Sequence, residues 1–133
     1  MRSVLVLPTY NESENIEPFL RAVRQSSPDT DILVVDDNSP DGTGPVANRV
    51  AEELGRIVVM HRPGKAGLGS AYRAGFSEVL GGSYDIIISM AADFSHDPDR
   101  IPDFVQLITD GADLVIGSRY VTGGGTTDWP VRR

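Results

Sequence analysis

The stretch Ser3-Val4-Leu5-Val6-Leu7-Pro8-Thr9-Tyr10-Asn11-Glu12-Ser13-Glu14-Asn15-Ile16 decides the fold. Ser3 to Leu7 is a short, almost unbroken apolar run of strand type. From about Glu14 the apolar residues Ile16, Phe19, Leu20 and Val23 recur at helical spacing. A strand that reads as continuous Val and Leu is buried on both faces, and a helix following it at once makes a βα unit. The polar residues between the two then lie where the strand's C-terminus emerges.

The same grammar repeats along the chain. Ile32 to Val35 ends in Asp36 and Asp37, and a polar turn leads to a helix carrying Val46, Val50 and Leu54. Ile57 to Met60 is followed by a Gly-rich loop and a helix with Leu68, Ala71, Tyr72, Gly75, Phe76 and Val79 on its apolar positions. Ile86 to Met90 precedes a loop containing Asp93 and His96, then a helix with Ile101, Phe104, Val105 and Ile108. Leu114 to Ile116 is expected to form a fifth strand. Helical crossovers between buried strands predict a mainly parallel, right-handed wound, Rossmann-like α/β sheet with flanking helices. In such sheets ligands collect at the strand C-termini, and the polar clusters follow strands 1, 2, 4 and 5.

With 133 residues the chain is expected to form one domain over 1–133. Apolar residues at 40% and charged residues at 23% are ordinary for a globular protein, so neither disorder nor a fibrous fold is indicated. The net charge of -7 and pI near 4.6 argue against a nucleic-acid partner held by a broad basic surface, while leaving room for a local basic pocket. The absence of cysteine excludes disulfides, thiolate metal sites and cysteine nucleophiles. No run approaches the roughly 20 apolar residues of a membrane span, and Met1 to Pro8 lacks a signal-peptide core, so a cytoplasmic location is the default expectation.

Five clusters carry candidate chemistry. After strand 1, Asn11 or Ser13 is placed to cap the helix, while Tyr10 can stack on a base or ribose and Glu12 accept from a hydroxyl. After strand 2, Asp36-Asp37-Asn38-Ser39-Pro40-Asp41-Gly42-Thr43 contains a turn and an expected N-cap, Thr43. Two carboxylates at the end of an apolar strand are costly to bury unpaired, which favours Asp37 as a ligand acceptor over a solvated turn acid. The loop from Arg62 to Ser70 is a weak anion-site candidate through Lys65, because its glycines do not follow the P-loop pattern. After strand 4, Asp93 sits where a metal-diphosphate ligand is useful, and His96 is expected to organise the loop. After strand 5, Arg119 suits bidentate phosphate recognition or a salt bridge to a nearby acid.

Pro8-Thr9-Tyr10-Asn11-Glu12, Val35-Asp36-Asp37-Asn38-Ser39-Pro40-Asp41-Gly42-Thr43, Lys65-Ala66-Gly67-Leu68-Gly69-Ser70-Ala71, Ala92-Asp93-Phe94-Ser95-His96-Asp97-Pro98 and Gly117-Ser118-Arg119-Tyr120-Val121 stand in this order. Together they resemble the dolichol (polyprenol) phosphate mannose synthase branch of the family 2 glycosyltransferases. The resemblance spans nearly the whole chain. It implies a GT-A fold and transfer of mannose, with inversion, from GDP-mannose to a polyprenol monophosphate at the cytoplasmic face of a membrane. An oligomer is compatible with it.

By position, the resemblance assigns Pro8, Tyr10, Glu12, Val35 and Asp37 to the guanosine. Ala91, Ala92 and Asp93 are assigned to the donor diphosphate, with Asp93 also on a Mg²⁺ or Mn²⁺ ion. Arg119 and Arg133 are assigned to the donor diphosphate or the acceptor phosphate, and Asp93 and Arg119 are the expected catalytic residues. A lipid monophosphate has a second pKa near about 6 by analogy with phosphorylated side chains, so it needs no dedicated general base. Two departures stand out. The family reads Asp-Ala-Asp where this chain reads Ala91-Ala92-Asp93, which implies weakened metal binding, and the family continues beyond the position of Arg133. The chain is therefore expected to be C-terminally truncated relative to the family. The alternative is a degenerate, non-catalytic nucleotide-sugar-binding module or partner subunit.

Overall fold

A computed structural model describes residues 1–125. Four strands, β1 (Ser3–Thr9), β2 (Asp31–Asp36), β3 (Ile57–His61) and β4 (Ile86–Ser89), form one sheet in the order β3-β2-β1-β4. All three pairings are parallel, with Leu5 opposite Ile32, Val4 opposite Ile87 and Leu33 opposite Val58. Four helices, α1 (Ile16–Ser26), α2 (Thr43–Leu54), α3 (Leu68–Leu80) and α4 (Ile101–Thr109), flank it.

Side chains alternate across a strand, and β1 divides its apolar residues accordingly. Leu5 and Leu7 pack with Ile16, Phe19, Leu20 and Val23 of α1 and with Ala47 and Val50 of α2. Val4 and Val6 turn to the opposite face, against Ala71 and Val79 of α3. Val35 lies on that second face and is fully buried. The α3 backbone comes so close here that a Cβ at Gly75 would sit 2.5 Å from Val6 Cγ1 and 3.1 Å from Val35 Cγ2. Glycine at 75 is therefore a requirement of helix-on-sheet packing, which outweighs the roughly 1 kcal/mol that glycine costs inside a helix.

Two expectations are corrected. α1 starts at Ile16 with Asn15 as its cap residue and no side-chain cap bond, so neither Asn11 nor Ser13 caps it. Thr43 is the first residue of α2; the cap residue is Gly42, at φ 90 in the left-handed region that glycine tolerates. A third correction is larger. Leu114 to Ile116 forms no strand: Leu114 is 77% and Ile116 76% exposed. Apolar, branched residues favour a strand only when a neighbour supplies ladder hydrogen bonds, and none joins this segment to β4. An open groove of about 1110 Å³ lies between β4 and residues 114–117 instead. The segment comes close to α4 at Gly117, where a Cβ would stand 3.0 Å from Phe104 Cζ.

Candidate functional site

The sheet runs outward from β1 in both directions, to β2 and β3 on one side and β4 on the other. The strand C-termini on either side of that switch point bound the crevice in which open α/β sheets hold ligands. By strand order, the loops after β1 and β2 lie on one side of this position and the loop after β4 on the other.

The β1 loop is built on the β2 loop, bond by bond. Asn11 N–H donates to Ser39 Oγ at 3.0 Å, Glu12 N–H to Thr43 Oγ1 at 2.9 Å, and Ser13 N–H to Asp41 Oδ2 at 3.0 Å. Asn11 is held at φ 55, a left-handed conformation that asparagine adopts more readily than most residues. Thr43 thus uses its hydroxyl to receive Glu12 while donating to Asp41 Oδ1 at 2.5 Å. Tyr10 follows β1 directly, is exposed on one side, and has the Lys65 ammonium 4.7 Å above its ring centroid.

Asp41 titrates low, at about 2. Burial alone would raise it, but the Thr43 hydroxyl and the backbone N–H groups of Ser13 and Thr43 favour the carboxylate more strongly. A depressed folded-state pKa adds stability that is complete above the unfolded value of 3.8 and is lost as pH falls toward about 2. Asp41→Asn is expected to flatten the acid limb of a melting temperature profile between those values. An unchanged slope in that window would show that the two loops do not depend on this carboxylate.

The adjacent acids Asp36 and Asp37 have opposite environments. Asp36 is 1% exposed and fully used: Oδ1 accepts from Thr9 Oγ1 at 2.7 Å and from Ser39 Oγ at 2.7 Å, and Oδ2 from Ser39 N–H at 3.1 Å. It is a structural acid that joins β1 to the β2 loop. Asp37 is 4% exposed, yet among the described residues its side chain accepts no hydrogen bond. Among the described residues it pairs with Arg62, whose Nη1 lies 3.3 Å from Oδ1 in an ion pair, with the N–H not aimed at the oxygen. Oδ1 is sealed from solvent, so the remaining access is through Oδ2. A buried carboxylate without donors is expensive, and such groups concentrate where a ligand supplies the missing bonds.

Across the crevice, Ala91 is half-buried, Ala92 is buried and Asp93 is exposed. His96 Nδ1 accepts from Ala91 N–H at 3.0 Å, which closes the loop and leaves Asp93 at its turn. Asp93 Oδ1 accepts from Ser95 N–H at 3.0 Å and Ser95 Oγ at 2.5 Å. Burial pushes this carboxyl up, but the Ser95 hydrogen bonds and nearby His96 outweigh it and hold it below its usual value. Tyr72 of α3 shares the neighbourhood, its phenol raised first by burial and then by the Asp93 charge.

Of the other residues singled out in the sequence, Pro8 pairs with Val35 in the β1–β2 ladder, and both side chains are buried. What Val35 can offer a ligand is therefore backbone, not side chain. Arg119 stands in an exposed turn beyond residues 114–116, with Nη2 3.0 Å from Tyr120 Oη. Arg133 lies outside the described residues. Arg62 does not stand out in the sequence, where Lys65 is the prominent cation of the Gly-rich loop; the signal for it is Asp37, an acid at the end of an apolar strand that needs a counter-charge nearby.

The Glycosyl transferase family 2 model matches residues 4–133. The chain belongs to glycosyltransferase family 2. Curated relatives of this family 2 domain include the polyprenol monophosphomannose synthase of Mycolicibacterium smegmatis, 47% identical over 133 residues that cover 99% of this chain and 50% of the relative. The undecaprenyl-phosphate mannosyltransferase of Micrococcus luteus is also 47% identical, over 100% of this chain and 54% of its own length. The family 2 domain thus spans about half the length of these relatives. Among solved structures, a mannosyltransferase from Pyrobaculum calidifontis in complex with GDP-Man and Mn²⁺ superimposes with a TM-score of 0.70 at 23% identity, covering 83% of this chain and 33% of that one. That likeness supports the GT-A fold. The curated relatives carry the names of mannosyltransferases and of a phosphomannose synthase, and among the described residues of this chain no helix is long and apolar enough to cross a membrane.

Proposed function

We propose that this chain is the donor-binding part of an inverting enzyme that transfers mannose from GDP-mannose to a polyprenol monophosphate. The observation that carries this reading is Asp37, a buried carboxylate that accepts no hydrogen bond among the described residues and whose N–H donates to the carbonyl of Thr9, the residue before Tyr10. Guanine N1–H and N2–H, or a ribose diol, would supply the donors that Asp37 lacks. Tyr10 offers a ring face for the base, and Glu12, with its backbone fixed by Thr43, offers a carboxylate to the ribose.

In the reaction proposed, a phosphate oxygen of the lipid bonds to mannose C1 as the bond from C1 to the diphosphate oxygen breaks. GDP leaves with the electron pair, and the anomeric centre inverts. The acceptor is already ionised, so the protein's work is alignment and charge neutralisation, not proton removal. Arg119 is the cation assigned to one of the two phosphate groups. A membrane-facing acceptor places the enzyme as a peripheral protein on the cytoplasmic side.

Among the described residues no group of three or more His, Cys, Asp or Glu side chains could hold a metal ion. Mg²⁺ characteristically takes one or two protein carboxylates and completes its shell with water and phosphate. Asp93 Oδ2, which accepts no hydrogen bond among the described residues, fits that single-carboxylate role, with the donor diphosphate as the second ligand. When bound, the ion would offset charge on the departing diphosphate. The Ala91 side chain brings no oxygen, which favours a second reading, a nucleotide-sugar-binding module with little turnover.

Calorimetric titration separates the readings. The transferase reading predicts GDP-mannose binding that strengthens with Mn²⁺ and labelled mannose appearing on polyprenyl phosphate in vesicles. Binding indifferent to Mn²⁺ and no lipid product would favour the module, and no binding of any guanosine nucleotide would contradict both.

A further inference from the structure

Arg62 joins three elements near the proposed nucleotide site, and nothing in the sugar-nucleotide reading uses it. It follows the last residue of β3, His61. Its backbone N–H donates to the Asp36 carbonyl at 2.8 Å, continuing the contact between β3 and β2 past the end of the ladder. Its Nη1 lies against the sealed Oδ1 of Asp37 at 3.3 Å, and its Nη2 donates to Ser70 Oγ in the first turn of α3 at 2.6 Å. The side chain is only 14% exposed, so this is an internal strut and not a surface charge.

The loop that Arg62 begins lies across the β1 and β2 loops. Asn38 Nδ2 donates to the Pro63 carbonyl at 3.3 Å, and Lys65 sits over the Tyr10 ring. Gly67, at φ 93, then turns the chain into α3. Both ends of this loop, residue 62 and residue 70, are therefore held by one guanidinium. A planar fork can serve two acceptors at once, which a lysine ammonium on a flexible stem does less well.

We propose that Arg62 is a positioning residue for the nucleotide donor: it holds Asp37 from beneath by Oδ1, so that Oδ2 faces the ligand, and sets the Pro63 to Gly67 loop over Tyr10. The inference rests on the nucleotide reading of Asp37. Arg62 is not placed to touch the ligand, because its Nη1 is sealed from solvent beneath the carboxylate and its Nη2 is taken by Ser70 Oγ. It acts through Asp37, and that coupling is measurable.

The test is a double-mutant cycle on GDP affinity by calorimetry, using the whole chain, with thermal melting to establish that each variant is folded. Arg62→Met is expected to weaken GDP by about tenfold to a hundredfold, on the order of the coupling between charged residues in direct contact. In an Asp37→Asn background the same change is expected to weaken GDP by less than about threefold, since the coupling has already gone. A merely structural arginine would give equal losses in both backgrounds, and that result would overturn the proposal. If Arg62→Met does not fold, Arg62→Lys and Ser70→Ala carry the test: each is expected to weaken GDP measurably, and wild-type affinity in both would overturn it. Wild-type protein that fails to bind GDP would instead refute the nucleotide site. Wild-type binding with no coupling would refute only the role of Arg62.

Discussion

The Asp37→Ala protein is expected to lose GDP binding by at least about a hundredfold and to melt on the order of 10 °C lower than the wild type. Both effects come from one atom group. The carboxylate is the buried acceptor offered to the nucleotide, and among the described residues it is also the only counter-charge for a mostly buried Arg62. Removing one member of a buried pair leaves the other uncompensated, which costs about 3–5 kcal/mol. The adjacent acid provides the contrast. Asp36 carries three hydrogen bonds from Thr9 and Ser39 and faces no ligand, so Asp36→Asn is the comparison in which stability falls while affinity per folded molecule holds. Equal GDP affinity in folded Asp37→Ala and wild-type protein would remove Asp37 from the site.

Ala91→Asp is expected to tighten Mn²⁺ binding in the presence of GDP by about tenfold or more, each tenfold being about 1.4 kcal/mol. The backbone at 91 is already fixed by its hydrogen bond to His96, so a new carboxylate would enter a set loop two residues from Asp93. Hard divalent cations gain from each added carboxylate oxygen. The same change should leave GDP affinity without metal nearly unaltered, because Tyr10, Glu12 and Asp37 belong to the loops after β1 and β2. Titration with Mn²⁺, with and without GDP, reads both quantities. Unchanged Mn²⁺ affinity would mean that residue 91 does not face the ion.

The parts of the fold that were legible in the sequence are those set by burial. β1 and β2 read as strands because Val4 to Leu7 and Ile32 to Val35 are apolar at successive positions and buried on both faces, whereas the edge strands β3 and β4 keep the same apolar runs yet expose Val58 and Ile87; the helices read as such because residues such as Ile16, Phe19, Leu20 and Val23 recur on one face. What was not legible depended on contacts distant in sequence. Leu114 to Ile116 has strand composition, but a strand is defined by a partner, which composition does not contain. Thr43 has the chemistry of a cap and serves instead as acceptor for Glu12, 31 residues away.

The candidate site divides in the same way. Asp36 and Asp37 are indistinguishable as letters, and only the fold separates the acid that ties two loops from the acid that waits for donors. Arg62 and Ser70 are eight residues apart, and their hydrogen bond became visible only with α3 in place. By contrast, the placement of polar clusters at strand ends followed from the βα rhythm alone, since a parallel sheet gathers those ends on one side.

The central claim is that one nucleotide sugar bridges the loops on the two sides of the crevice. A crystal soaked with GDP-mannose and Mn²⁺ tests it most directly. The account predicts density with the base between Tyr10 and Asp37, continuous through a diphosphate to an ion at Asp93. Density confined to the groove beside β4, or none with Asp37 and Asp93 accessible at saturating ligand, would contradict it.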